Sequence, residues 1–295
     1  MTDLTTTLTQ WNKFKPKTLR SYVREIALDM LSLKNKFIDI ENVLKKPRVQ
    51  FLYIHHIFDD EIESFEKILN ILSKYHTFIS YSDAVNKICS GNIDKAYLSI
   101  SSDDGFKNNL SAIKILNKYN IKGCFFVNPD TIGLKDFSKI KSFCKTRLYC
   151  PPTEFMDWND IEYLIENGHE IGSHTIGHIN IAKTDIRTVE ENIYKSHEIL
   201  TKKTGNTCHF SFPYGRFFHF KKEAYNIVFK AGFISCASAE RGCHISNNKK
   251  IKLNNILIRR DHVICNWNIN HILHFIIKNS INSSFKNNFY PVDCD

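Results

Sequence analysis

At 295 residues, with 42 % apolar and 13 % aromatic side chains, the chain has enough apolar material for a packed interior, which excludes disorder over most of its length. Lys and Arg number 40 against 31 Asp and Glu, a net charge of +9, but the basic residues are scattered, so no anionic partner is specified and nucleic acid is not expected. Nine Cys without a CxxC pair exclude a zinc ribbon, and a disulfide framework is not expected in a chain this long.

The N-terminal MTDLTTTLTQ lacks a basic stretch followed by an apolar run, and no segment approaches the ~18 uninterrupted apolar residues of a membrane span. The expectation is a protein of a reducing, cytoplasmic compartment. Residues 1–46 read as a helical lead-in, with apolar residues at 19, 23, 26, 27, 30, 31 and 33 and a basic KKPR run ending at Arg48. It holds no evident chemistry. From Val49 the run VQFLYIHHIF reads as a buried strand, followed by a helix with Ile62, Phe65, Ile68, Leu69 and Leu72 on one side. AYLSIS (96–101), GCFFV and HEIGS read as further strands, separated by helices over 109–119 and 158–167. A helix over 185–203 then leads to strands at CHFSF, GFISCAS and NILIRR. Short strands alternating with longer helices indicate β-α units around a mostly parallel sheet, open or closed. Clusters of polar residues follow the predicted strands, where such folds place their chemistry.

Ser101-Ser102-Asp103-Asp104-Gly105 follows the strand AYLSI. Two adjacent carboxylates repel unless a cation lies near, and adjacent side chains diverge, so one can hold a metal while the other faces a water. A solvated turn or a helix N-cap is the structural alternative. In His169-Glu170-Ile171-Gly172-Ser173-His174-Thr175-Ile176-Gly177-His178, His174 and His178 are four residues apart. One helical turn would put both imidazoles on one face and on one metal ion; a pair of surface histidines is the alternative. Thr175 stands where zinc peptidases carry Glu, so a base must come from elsewhere, and Asp103 offers one. His169 shares no face with the pair and reads as structural. Phe210-Ser211-Phe212-Pro213-Tyr214-Gly215-Arg216 offers aromatic walls for a sugar ring or an acyl methyl, and a bend whose backbone N–H could serve an oxyanion. In Ile258-Arg259-Arg260-Asp261-His262, period-two alternation puts Arg260 and His262 on one side and Arg259 and Asp261 on the other. Such a strand end could orient a carboxylate and protonate a leaving amine, or be an ordinary basic edge.

Together these clusters resemble the polysaccharide deacetylase family, which includes the NodB-type chitooligosaccharide deacetylases, over roughly residues 49–265. Ser101 to Gly105 matches its Thr-Phe-Asp-Asp-Gly signature, His174 to His178 its His-Ser/Thr-x-x-His, and Phe210 to Gly215 its aromatic-x-aromatic-Pro-Tyr-Gly; GCFFV and YIHHI are also similar. The resemblance implies an α/β fold, a distorted (β/α)7-like barrel (the NodB homology domain) over residues 47–278, with the N-terminal helical extension and a tail over 279–295. It implies zinc, or cobalt, nickel or manganese, on Asp104, His174 and His178, with Asp103 as general base and the Tyr214 backbone at the oxyanion site. The implied substrate is an N-acetylated carbohydrate. Three departures stand out. Ser101 and Ser102 replace Thr-Phe, and Ser211 replaces an Arg that pairs with the base. The late motif carrying the acid His is missing. Arg260, with Arg259 as rival, is the substitute for the first residue and His262 for the second, while His274 reads as core or interface. A scaffold that has lost catalysis, or a hydrolase of another non-peptide amide, is the competing expectation.

Overall fold

The computed structural model describes residues 4–247, 250–251 and 255–291. Three helices come first: α1 (Leu8–Phe14), α2 (Leu19–Leu33) and α3 (Ile40–Lys45). They lead into β1 (Arg48–Ile54), α4 (Ile62–Leu72), β2 (Thr77–Phe78), α5 (Tyr81–Ser90) and β3 (Ala96–Ser102). Next come α6 (Ile113–Lys118), β4 (Cys124–Val127), α7 (Phe137–Phe143), α8 (Trp158–Glu166) and β5 (Glu170–Ser173). The last part holds α9 (Ile186–Thr204), β6 (His209–Ser211), α10 (Lys222–Lys230), β7 (Ser235–Ala237), β8 (Cys243–His244), β9 (Leu257–Ile258), β10 (Asp261–His262) and α11 (Ile269–Ile281).

The strands run in the order β10-β1-β3-β4-β5-β6-β7-β9, all neighbours parallel. The two end strands are one short piece of chain. Leu257–Ile258 pairs with β7 and Asp261–His262 with β1, so the segment closes the sheet into a distorted barrel of seven staves. The run NILIRR is therefore not one strand: at Arg259 and Arg260 the chain steps from one barrel edge to the other. Two further expectations shift locally. β1 stops at Ile54, leaving His55 to Phe58 in a loop, and the helix expected over 109–119 is a 3-10 turn, Lys107–Ala112, followed by α6.

Parallel strands covered on both faces need apolar residues at nearly every position, and β1 and β3 are buried throughout. Alternation then sorts them. Val49 and Phe51 of β1, Cys124 and Phe126 of β4, Ala237 and Ile258 join Tyr81 in one cluster, which fills the barrel. Leu52, Ile54, Leu98, Ile100, Phe125 and Val127 belong to another, under α4, α6, α8 and α11. The N-terminal unit is tied on by polar contacts. Arg48 is fully buried; its guanidinium donates to the Leu44 and Lys46 carbonyls at 2.8 and 2.9 Å and so caps the end of α3. Beyond α11, Asn288 meets His244 at 2.7 Å and Tyr290 stacks on Tyr225, which packs the C-terminal segment onto the barrel. Among the described residues no helix is long and apolar enough to cross a membrane.

Candidate metal centre and its cleft

The inward-facing register of the strands, carried past their C-terminal ends, generates the site. In β1 it runs Val49, Phe51, Tyr53 and continues to His55; in β3 it runs Tyr97, Ser99, Ser101 and continues to Asp103. Phe126 leads to Asn128, Gly172 to His174, and Ile258 to Arg260 and His262. These ends line a cleft of about 310 Å³ that exposes His55, Asp103, Asp104, His174, His178 and His262.

Asp103 is gripped from across the barrel. Arg260 Nη1 donates to its Oδ1 at 2.7 Å and Nη2 to its Oδ2 at 2.8 Å, a two-pronged contact between side chains 0 % and 6 % exposed. The remaining donors are satisfied by Ser101 Oγ at 3.1 Å, Ser211 Oγ at 2.7 Å and the Ser238 carbonyl at 2.9 Å. Ser101 and Ser211, two of the departures noted above, thus supply small hydroxyls where the guanidinium enters. Arg259 turns away, its guanidinium over the Phe217 ring. Burial by itself would raise the Asp103 carboxyl, but the charges of Arg260 and His174 and the Arg260 hydrogen bonds hold it down to about 2.

Its neighbour faces another way because Asp104 takes a left-handed backbone, φ +72°. Asp104 Oδ1 lies 3.5 Å from His174 Nε2 and 3.4 Å from His178 Nε2, and all three groups are buried. The histidines do not sit on a helix, as their spacing suggested. They flank a turn in which Thr175 and His178 are themselves left-handed, at +63° and +52°. Backbone of that kind costs about 1–3 kcal/mol per non-glycine residue and persists only where neighbours hold it. Asn128 does the holding, donating to the carbonyls of His174 and Thr175.

Three ligand atoms within 4.8 Å of one another fit one small cation. Nδ1 of His174 faces the Ser211 carbonyl at 2.7 Å, an acceptor only, so Nδ1 carries the proton and Nε2 keeps a lone pair toward Asp104. Burial holds His174 down to about 4 and His178 well below the usual range, so both imidazoles are neutral, the form that binds metal. Burial and the Asp103 charge push Asp104 well up, and its Oδ1 is buried without a hydrogen-bond partner; a cation there would relieve both. The group is a divalent-metal site in its geometry and donor chemistry.

Around it, Tyr214 is left-handed at +63°, packs its ring 4.7 Å from His178, and has no acceptor for its amide N–H among the described residues. The following Gly215 is required: a Cβ there would lie 2.3 Å from Ala239 Cβ. Phe212 lines the cleft, whereas Phe210 packs on Phe233 in the core and is no wall for a ligand. His262 Nε2 meets His55 Nδ1 at 3.1 Å, and His55 Nε2 lies 4.0 Å from Asp104 Oδ2. Sequence reasoning passed over His55 and Asn128, although continuing the inward register two residues past Tyr53 and Phe126 points to both. It also passed over the lead-in: Leu8, Trp11 and Lys15 line the cleft, with Trp11 4.6 Å from the His56 ring. His169 is structural, accepting from the Gly123 amide at 3.0 Å, and His274 sits on α11 outside the cleft.

Residues 90–233 match the family model described as polysaccharide deacetylase. No curated protein matches the sequence. Among solved structures, IcaB from Ammonifex degensii superposes with a TM-score of 0.61 at 17 % identity, over 79 % of this chain and 98 % of that one. A Streptococcus pyogenes deacetylase, PplD, in complex with acetate gives 0.59 at 15 % identity, over 79 % and 98 %. The polysaccharide deacetylase BC0361 from Bacillus cereus gives 0.60 at 17 %, over 79 % and 69 %. At such identities the structural likeness speaks for the fold, and the local geometry has to speak for the chemistry.

Proposed function

We propose that this chain, whose residues 90–233 match the polysaccharide deacetylase family model, hydrolyses the N-acetyl group of an N-acetylated sugar, leaving acetate and a free amine. The observation that carries this reading is the division of labour between two adjacent carboxylates, Asp103 fixed on a guanidinium and Asp104 facing two neutral imidazoles. Asp104, His174 and His178 would hold the ion, zinc by the preference of a carboxylate and two imidazoles in a site with open positions, with cobalt, nickel or manganese as alternatives. When bound, such an ion acidifies water and polarises the acetyl carbonyl.

The chain's own groups then have separate tasks. Asp103, kept ionised by Arg260, accepts the proton of the attacking water, and the same guanidinium stops its carboxylate from turning toward the histidines. The Tyr214 N–H donates to the carbonyl oxygen as negative charge grows on it, an effect worth about 3–4 kcal/mol for a well-placed donor. His262 is hydrogen-bonded to His55 and kept neutral by burial and by the charges of His55 and Arg241, so the proton it passes to the departing amine is the one Asp103 takes from the water, a step worth roughly 10²–10⁴-fold. The departures at Ser101 and Ser211, which favoured a scaffold without catalysis, are accounted for by the guanidinium that reaches in from residue 260.

The test is acetate release by the purified protein, with its metal content measured, on free, nucleotide-linked and polymeric N-acetyl sugars. The expected result is near-stoichiometric divalent metal and release from at least one class. A metal-loaded protein inert toward every class would overturn the reading.

A further inference from the structure

α2 wears its apolar side outward. Its one buried residue is Leu28, on the face turned to the barrel, while Leu19, Tyr22, Val23, Ile26, Met30 and Leu33 are 81, 53, 58, 61, 67 and 52 % exposed. At about 100° per residue these six fall within one sector of roughly 100°. Phe14 and Phe37, 60 % and 91 % exposed, stand just before and just after the helix. A continuous apolar strip of this size does not face water without a partner.

Charge identifies the partner. Residues 4–46 contain seven Lys and two Arg against two Asp and two Glu, so a short segment carries a net +5 of the chain's +9. The acids beside the strip are already engaged, Glu25 with Lys17 at 2.6 Å and Asp29 with His271 at 2.7 Å. Lys13, Arg20 and Lys34 have no carboxylate in ion-pairing distance among the described residues. A second copy of α2 fits less well. The 15-residue helix spans about two heptads, fewer than the three or four a coiled coil needs, and antiparallel pairing would set the basic edge against itself.

We propose that α2 is an interfacial anchor that seats the protein on an anionic lipid bilayer, its apolar strip in the acyl boundary and the basic residues among the headgroups. The opposite side of the same helix lines a groove of about 440 Å³, with Arg24 stacked 4.8 Å over Trp267. That groove meets the catalytic cleft at Leu8, Trp11 and Ile264, so a seated α2 places the mouth of the cleft at the height of the headgroups.

The experiment is flotation of the full chain with vesicles of phosphatidylcholine, with and without one phosphatidylglycerol in three. The protein should float with the anionic vesicles, about ten-fold less with the neutral ones, and less in high salt. Ile26→Glu with Met30→Glu should lower flotation by about ten-fold while metal content stays at the wild-type level, which reports the fold. No flotation with anionic vesicles, or equal flotation of the double variant, would overturn the proposal. So would light scattering that shows a dimer dissolved by the same substitutions, since the strip would then belong to a second copy. None of these outcomes bears on deacetylation, which is read separately as acetate.

Discussion

Asp103 and Asp104 are chemically identical neighbours that the fold makes unlike. One change of backbone, φ +72° at Asp104, sends the two carboxylates in different directions, and what each meets there sets its charge. Asp103→Asn should therefore retain metal while turnover falls by about 10²–10⁴-fold; unchanged acetate release would remove Asp103 as the base. His174→Ala, in contrast, should lose metal and activity together. Arg260 is a harder case, because removing it strands a buried carboxylate. Arg260→Met should cost about 3–5 kcal/mol in urea unfolding, with much of the loss regained, but not the activity, when Asp103→Asn is added. If turnover recovered together with stability in the double variant, Asp103 would not be the base. For His262, substitution by Ala should depress turnover and shift the pH profile without changing metal content.

Among the elements, the segment from Leu257 to His262 has the most consequences. Split between two barrel edges, it closes the sheet and at the break drives Arg260 through to Asp103, 157 residues earlier in the chain. α1 is a second element that serves the site. Asp60 accepts from the Leu8 and Thr9 amides at 2.8 and 3.2 Å, and Lys15 Nζ donates to the Tyr149 carbonyl at 2.8 Å, so both ends of the helix are tied down across the cleft. Trp11 is thereby presented as a wall between cleft and outer groove. Trp11→Ala should raise KM about ten-fold on extended substrates, with little change in kcat or metal content, consistent with a side chain that binds without touching the reacting bond. An equal loss of kcat would instead place Trp11 in the ordering of the catalytic groups.

The whole molecule buries several imidazoles away from the site, and this sets its response to acid. Burial, aided by Lys122, holds His169 at about 4; burial holds His244 at about 4; burial and Arg48 hold His76 at about 3. A folded-state value below the unfolded ~6.5 means that the unfolded chain takes up protons first as pH falls. The stability these groups contribute is complete above about pH 6.5 and is lost progressively down to about pH 3–4. Glu61, pushed up to about 7 by burial, runs the opposite way, its contribution present at low pH and lost as pH rises through about 7. Away from the metal site the depressed imidazoles, His197, His219 and His274 with the three above, outnumber the raised carboxyls, Asp130 and Asp261 with Glu61, and this decides the direction. The urea midpoint should fall between about pH 6.5 and 4; a flat midpoint across that window would show that these imidazoles are more hydrated than their burial implies.

What the residues alone determined was the inventory and its order. Short buried runs alternating with helices are legible because a parallel sheet covered on both faces tolerates little else, and the paired acids and spaced histidines are legible because few other arrangements of such costly groups make sense. Their convergence, and everything that depends on it, came from tertiary structure. The turn that brings His174 and His178 together is not helical and is held by Asn128, across a strand pairing that no local pattern encodes. His55 lay hidden in an apolar run until the register gave it a direction. The lead-in looked inert because its helical spacing says which residues share a face, whereas only the docked helix tells which face meets the barrel, the cleft or the water.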